Sequence, residues 1–262
     1  MRRLASLLDM EARRILRFPV IELIAALATF LTLHWVAHYD VYMQVPGGVA
    51  RGEALARVLR RLLADQSRRV TWRGGFALLA SYEFAVLAYV ALASATARDL
   101  STGYMRLLLS LPFRRGEVFL VRASLTLLPP LLALLASNAV ASAVVAHLCA
   151  CSVDPRYALI CYLPGVVSCV YIFSVSLSIA LASKDTVTSV IASLLFLYGS
   201  DFALRGLYRS PLSRLLPPAC LTEFAFAAAR GRVLWESLLC PLAASAALLT
   251  ICYFYFTRWL EL

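Results

Sequence analysis

Residues 123–148 read ASLTLLPPLLALLASNAVASAVVAHL, an apolar run long enough to cross the hydrocarbon core of a bilayer as a helix. Comparable apolar runs lie before and after it, separated by Arg-rich, Pro-rich or Gly-rich breaks. A transmembrane barrel would need strands of alternating apolar and polar residues, and stretches such as ASLLFLY at 192–198 do not alternate. We therefore predict an all-α polytopic membrane protein with six spans, at about 20–39, 76–97, 123–148, 157–182, 187–203 and 236–257.

The composition also favours a membrane protein. Hydrophobic residues make up 61% of the chain and charged residues 15%, whereas a soluble domain has about 45–50% and about 25%. The formal net charge is +10, and every basic residue except Lys184 is arginine. No soluble basic module can be separated from the spans, so we expect this charge to meet lipid headgroups and not nucleic acid.

Residues 1–19 are predicted to form an amphipathic helix that lies in the membrane interface, followed by one transmembrane domain over 20–262. Arg13, Arg14 and Arg17 belong to its basic face, and Glu11 is the one charge on the apolar side. Pro19 allows a sharp bend into the first span, so we name this segment the elbow helix. Its apolar face is predicted to comprise Leu4, Leu7, Leu8, Ala12, Ile15 and Leu16. A second surface helix is predicted around 55–63, where leucines and arginines alternate with helical spacing.

The orientation depends on the first span, because Arg and Lys divide almost evenly between the two sides, 12 against 13. Five arginines precede the first span, which favours an N-terminus in the cytoplasm. An even number of spans then places the C-terminus there too. The N-terminal apolar run starts late and lacks a small-x-small cleavage site, so we expect no cleaved signal peptide. The predicted location is the cell membrane, with several passes.

The segment after the second span, ARDLSTGYMRLLLSLPFRRGEVFLVR at 97–122, is too polar to span and too apolar for a free loop. We predict a short docked helix. Its apolar side chains would face a groove on a partner while Arg106, Arg114 and Arg115 surround the contact. An ordinary interfacial loop helix fits the composition equally well. The groove-facing set would be Leu107, Leu108, Leu111 and Phe113.

This segment resembles the intracellular loop of type-2 ABC exporter permeases, which carries an acidic residue, a glycine, a leucine run, a proline and a basic pair. Asp99 stands where that family usually has glutamate. Elsewhere the resemblance is architectural: an elbow helix, six spans, a short turn between spans four and five, and a membrane-dipping loop before span six. The coupling segment that the resemblance implies comprises Arg98, Asp99, Gly103, Leu107, Leu108, Leu111, Pro112, Phe113, Arg114 and Arg115.

The resemblance implies that two such subunits, as a homodimer or a pseudo-symmetric heterodimer, assemble with cytosolic ATPase subunits that bind ATP and magnesium. The coupling segment would then transmit nucleotide-driven motion to the spans. A Walker A loop requires Gly-Lys, and the only lysine of this chain, Lys184, follows Ser183. We therefore expect a transport subunit and not an enzyme, with no cofactor of its own.

A transport path is predicted between spans two and five, mainly from the resemblance, and its lining would include Tyr82, Glu83, Tyr89, Phe196 and Tyr198. An intramembrane carboxylate such as Glu83 is costly and therefore a functional candidate. Two alternatives stay open: Glu83 reaches the outer headgroups by snorkelling, and the tyrosines anchor the interface. The sequence does not select a substrate.

Other motifs favour different chemistry less strongly. No metal site is predicted, although histidines and cysteines cluster at one outer level. Cys220 is a candidate for an outward disulfide with Cys149 or Cys151. An intramembrane hydrolase lacks Gly-x-Ser-x-Gly and His-Glu-x-x-His, whereas a channel or secondary carrier is the main alternative to the exporter. The apolar piece at 224–229 is either re-entrant or surface-lying. The metal-site candidates are His34, His38, His147, Cys149 and Cys151.

Overall fold

The structure, a computed structural model, describes residues 2–16, 20–38, 82–149, 155–206 and 234–259, together with positions 217, 220, 221 and 224. Every secondary-structure element in those ranges is helical. In chain order they are α1 (Arg2–Ile15), α2 (Val20–His38), α3 (described over Tyr82–Ser101), α4 (Tyr104–Ser110), α5 (Arg115–Cys149), α6 (Pro155–Ser183), α7 (Thr186–Gly206) and α8 (Glu236–Phe254). A π-helical turn, Tyr255–Trp259, continues α8.

Four of these helices are long and apolar enough to cross a membrane: α3, Arg115–Ala141 of α5, Leu163–Ser183 of α6, and α8 with its π-helical turn. They match the predicted spans two, three, four and six. The predicted first and fifth spans fall on α2 and α7, which are helical, but α2 counts as a span only together with α1. The described residues therefore give four spans, or five with that bent pair, and six is not confirmed.

The helices α1 and α2 meet at an angle of 72° across a short break. Leu7 and Ile15 of α1 are buried as the apolar periodicity predicts, and α1 packs against α5. Leu8 departs from that prediction because it is 47% exposed, whereas Glu11 on the same side of the helix is completely buried. The elbow helix and its position at a membrane surface stay predictions, because a bent pair of this kind also fits a broken span or a re-entrant loop.

The helix α6 occupies the centre of the bundle. Every residue from Tyr171 to Leu177 is buried, and α6 contacts α5, α7 and α8. Its apolar window is 72% buried, against 28% for that of α8. Because no water is present in a bilayer core, backbone groups pair within each helix, and apolar side chains on an outer helix can face lipid. The bundle thus has a packed centre and an apolar perimeter.

Several predictions fall on residues outside the described part of the chain. These are the second surface helix at 55–63, the side chains of the histidines and cysteines that were considered as metal ligands, and most of 224–229. Phe224 and Cys220 are described, and both are buried. Among the described residues, no group of three or more His, Cys, Asp or Glu side chains is placed to hold a metal ion.

Candidate functional site

The end of α3 turns directly into α4 through Gly103. This glycine has φ 76°, in the left-handed region that side chains with a Cβ rarely adopt. Its N–H donates to the carbonyl of Leu100 at 3.3 Å, and its own carbonyl accepts from Arg106 at 3.0 Å. Gly103 therefore ends α3 and begins the next helix, which keeps α4 close to the end of α3.

The two faces of α4 differ sharply. Met105 and Leu108 are buried against the bundle, whereas Leu107 is 64% exposed and Arg106 is exposed beside it. Consecutive residues of a helix point about 100° apart, so Leu107 and Leu108 cannot serve the same surface. The structure places Leu108 on the inner side of α4 and leaves Leu107 on the outer side, with the exposed Leu111 just beyond the helix.

The connection from α4 to α5 is fixed by a reciprocal cap. The Arg114 backbone N–H donates to Glu117 Oε2 at 3.0 Å, and the Glu117 N–H donates to the Arg114 carbonyl at 2.9 Å. This arrangement satisfies backbone donors that a helix N-terminus leaves without partners. It explains why α5 begins at Arg115, ahead of the predicted span start at 123. The side chains of Pro112, Arg114 and Arg115 are exposed, while Phe113 packs partly against the core.

Between α1, α3, α4 and α5 lies a network of charges, which we call the ion-pair network: Glu11, Arg14, Asp99 and Arg122, with Tyr104. Three of the four charges are buried, and Arg14 is partly exposed. Asp99 is 1% exposed and Arg122 4%. The Arg14 Nη2 donates to Asp99 Oδ1 at 2.7 Å, and the Arg122 guanidinium donates to the other Asp99 oxygen. Arg122 Nε also lies 2.8 Å from Glu11 Oε2, an ion pair whose geometry is not that of a hydrogen bond.

Tyr104 closes the network from the side of α4. Its hydroxyl donates to Glu11 Oε1 at 3.0 Å, and the Arg14 guanidinium stacks on its ring at 3.3 Å from the ring centre. Burial and the neighbouring Glu11 carboxylate raise the pKa of Tyr104 above its usual range. Burial by itself lowers the pKa of Arg14, but the hydrogen bond and charge of Asp99 outweigh it and raise that pKa.

The ion-pair network joins α1, α3, α4 and α5 at one end of the bundle, with two carboxylates matched by two guanidinium groups. Removing ions from water is costly, so buried pairs are better evidence for a specified geometry than for stability. A displacement of α4 would act on Tyr104 and, through this network, on the other three helices. Because these described charges are paired with one another, their role is to fix the positions of the helices and not to bind or transform a ligand.

The arginines predicted for the elbow helix and the coupling segment lie in different environments. Arg13 is exposed and pairs with Asp9 at 3.1 Å, whereas Arg14 belongs to the ion-pair network. Arg17 lies outside the described residues, and Arg98 is exposed at the end of α3. Sequence reasoning missed Glu11 and Arg122 as site residues. Their signal was a charge within an apolar pattern: Glu11 on the apolar side of α1, and Arg122 between VFLV and ASLT.

The structure places the five residues of the predicted transport path in different surroundings. Tyr82 and Tyr89 are buried, and the Tyr89 hydroxyl donates to the Leu127 carbonyl at 2.9 Å. Glu83 and Tyr198 do meet, because the Tyr198 hydroxyl donates to Glu83 Oε2 and so joins α3 to α7. Phe196 is exposed, but it lies two residues from Tyr198 and so points about 200° away around α7.

No protein-family model, curated protein or solved structure matches this chain. The resemblance of the 97–122 segment to type-2 ABC exporter permeases therefore stays a prediction. The geometry that bears on function is the α4 helix, its exposed outer face, and the ion-pair network that holds it.

Proposed function

We propose that this chain is the membrane-spanning permease subunit of an ATP-binding-cassette exporter in the cell membrane, with both termini in the cytoplasm. It would work as a homodimer with separate cytosolic ATPase subunits, which bind ATP and magnesium. Binding of ATP would close the ATPase pair, displace α4, and tilt the bundle so that a path changes its access.

The observation that supports this proposal most directly is the docking of α4. A seven-residue helix is pressed against the bundle by Met105 and Leu108 and held by Tyr104 in the ion-pair network. Its outer face presents Leu107 and Arg106, an apolar anchor beside a positive charge. Such an exposed leucine with a basic neighbour fits insertion into a groove on a soluble partner. Through Tyr104 and the ion-pair network, a partner that displaces α4 would also act on α1, α3 and α5.

The test is purification of the full chain from its native membranes in a mild detergent, with measurement of the co-purifying ATP hydrolysis. Leu107→Glu and Arg114→Glu are both expected to reduce that activity at least tenfold, since each changes an exposed side chain of the coupling segment. Arg258→Glu is the matched control. It reverses an exposed charge on the π-helical turn, whose Phe256 packs on Phe119 of α5 near the same end of the bundle.

Substrate flux that proceeds without ATP, with no ATPase in the purified sample, would instead identify a channel or secondary carrier. Loss of ATPase in Arg258→Glu as well as in Leu107→Glu would refute α4 as the specific contact.

A further inference from the structure

The contact between Glu83 and Tyr198 differs from the ion-pair network in its charge balance. Tyr198 is 39% exposed and Glu83 is half-buried, so both side chains reach the outer surface of the bundle. Among the described residues, no Arg or Lys side chain lies within 4.0 Å of the Glu83 carboxylate. Glu83 therefore has a hydroxyl donor but no described counter-charge, whereas Asp99 on the same helix has two arginines.

The depth of this contact makes the lack of a counter-charge among the described residues important. Glu83 precedes Asp99 by 16 residues on α3, which is about 24 Å along a helix. Tyr198 lies 12 residues beyond the start of α7, or about 18 Å from that end. A bilayer core is about 30 Å thick. With Asp99 at one boundary of the core, as the proposed topology requires, both distances place the Glu83–Tyr198 contact inside it. An ionised carboxylate there is expensive unless a cation approaches it.

The surface around the contact is apolar. Leu87, one turn from Glu83 on α3, is 47% exposed. Ile191 and Leu195, which share the face of Tyr198 on α7, are 53% and 69% exposed. A ligand at this position would meet one carboxylate, one phenol ring and aliphatic side chains.

We propose that Glu83 and Tyr198 form a recognition site for a lipophilic organic cation, such as an alkylammonium or arylphosphonium ion. The Glu83 carboxylate supplies the counter-charge, and the electron-rich face of the Tyr198 ring attracts the cationic centre. Leu87, Ile191 and Leu195 contact the apolar substituents. The inference names a substrate class for the proposed exporter and rests on that function for its transport role, although binding itself requires no ATPase.

The test uses the full chain in phosphatidylcholine nanodiscs, with labelled tetraphenylphosphonium in equilibrium dialysis and empty discs as background. We expect saturable binding that is weakened at least tenfold by Glu83→Gln, retained by Glu83→Asp, and weakened severalfold by Tyr198→Ala. Glu22→Gln is the matched control, because Glu22 is an exposed carboxylate in the first turn of α2. Tetraphenylborate has the same shape and the opposite charge, and its own binding, measured in a separate dialysis without the cation, should be the same in Glu83→Gln and in the wild-type chain.

Equal affinity for the cation in Glu83→Gln and in the wild-type chain would overturn the site, and so would the absence of saturable binding or an equal loss of tetraphenylborate binding in Glu83→Gln. The two proposals fail separately. Cation binding without a co-purifying ATPase would leave the site intact and refute the exporter, whereas a co-purifying ATPase without cation binding would refute only the substrate class.

Discussion

Removal of the Arg122 guanidinium should be the most damaging single change in the ion-pair network. Arg122→Met keeps much of the side-chain volume but leaves Glu11 and Asp99, 0% and 1% exposed, with only Arg14 as a described cation. The network then carries one excess buried negative charge. Breaking a buried pair in this way is costly because the remaining ion has lost both water and partner.

The magnitude follows from the geometry. Two unit charges at the 2.8 Å separation of Arg122 Nε and Glu11 Oε2 attract by about 6 kcal/mol at an effective dielectric constant of about 20. The desolvation of Arg122, which the mutation removes, offsets part of this attraction. Measured losses for such broken pairs are about 3–5 kcal/mol, and we expect the free energy of unfolding to fall by that amount.

The assay is reversible unfolding of the purified chain in mixed micelles by titration with sodium dodecyl sulfate. Arg13→Met is the control, since Arg13 pairs with Asp9 on the exposed face of α1 and should change the unfolding free energy by less than about 0.5 kcal/mol. Adding Glu11→Gln to Arg122→Met removes the excess charge and should recover about 1–3 kcal/mol. Equal stability of the Arg122 and Arg13 variants, or a double mutant no more stable than Arg122→Met, would refute the buried network.

Three further predictions concern local geometry and use the same unfolding assay. Lys184 has φ 54°, so Lys184→Gly should stabilise the turn between α6 and α7 by about 1 kcal/mol, and a destabilised variant would argue against that backbone conformation. The Thr188 N–H donates to Asp185 Oδ2 at 2.8 Å and lowers the pKa of Asp185. The Asp185 carboxylate therefore stabilises the folded chain at a pH above its unfolded-state pKa of about 4, and this stabilisation is lost as the pH falls through its lower folded-state pKa. Asp185→Asn should remove this dependence of the unfolding free energy on acid pH. A Cβ on Gly116 would lie 2.8 Å from the Tyr253 hydroxyl. The gain in helix propensity of up to about 1 kcal/mol offsets the shift of that ring end, so Gly116→Ala should change the unfolding free energy by less than about 1 kcal/mol, whereas Gly116→Leu should destabilise the chain because its larger side chain displaces the ring.

The spans that sequence predicted well are those whose signal is local. The length of an apolar run is contained in the run itself, so α3, α5, α6 and α8 were placed without knowledge of their neighbours. The start of α5 was missed by eight residues because hydropathy detects the hydrocarbon boundary, whereas the helix begins at the cap formed by Arg114 and Glu117. A hydropathy profile therefore does not detect the part of a helix that extends beyond the lipid.

The ion-pair network could not be predicted in the same way because its contacts join distant parts of the chain. Tyr104 and Glu11 are 93 residues apart, and Arg14 and Asp99 are 85 apart. A single sequence gives no information on which buried charge meets which. It does show that Glu11 interrupts an apolar face, and a charge in that position must find a partner if the helix is packed. The position of Glu11 in the sequence therefore predicts a buried ion, but it does not predict that Arg122 is the partner.

The helix α3 connects the two polar contacts, and their different construction fits different roles. Asp99 is held by two arginines from α1 and α5, so ion pairs tie the Asp99 end of α3 to those helices. Glu83 is held by one hydroxyl from α7, and no described residue of α7 belongs to the ion-pair network. In the proposed exporter, a push on α4 that moves Asp99 would also move Glu83, because the length of a helix changes little when it is displaced along its axis. The Glu83–Tyr198 contact is the weaker of the two, and it is therefore the one that such a movement would open.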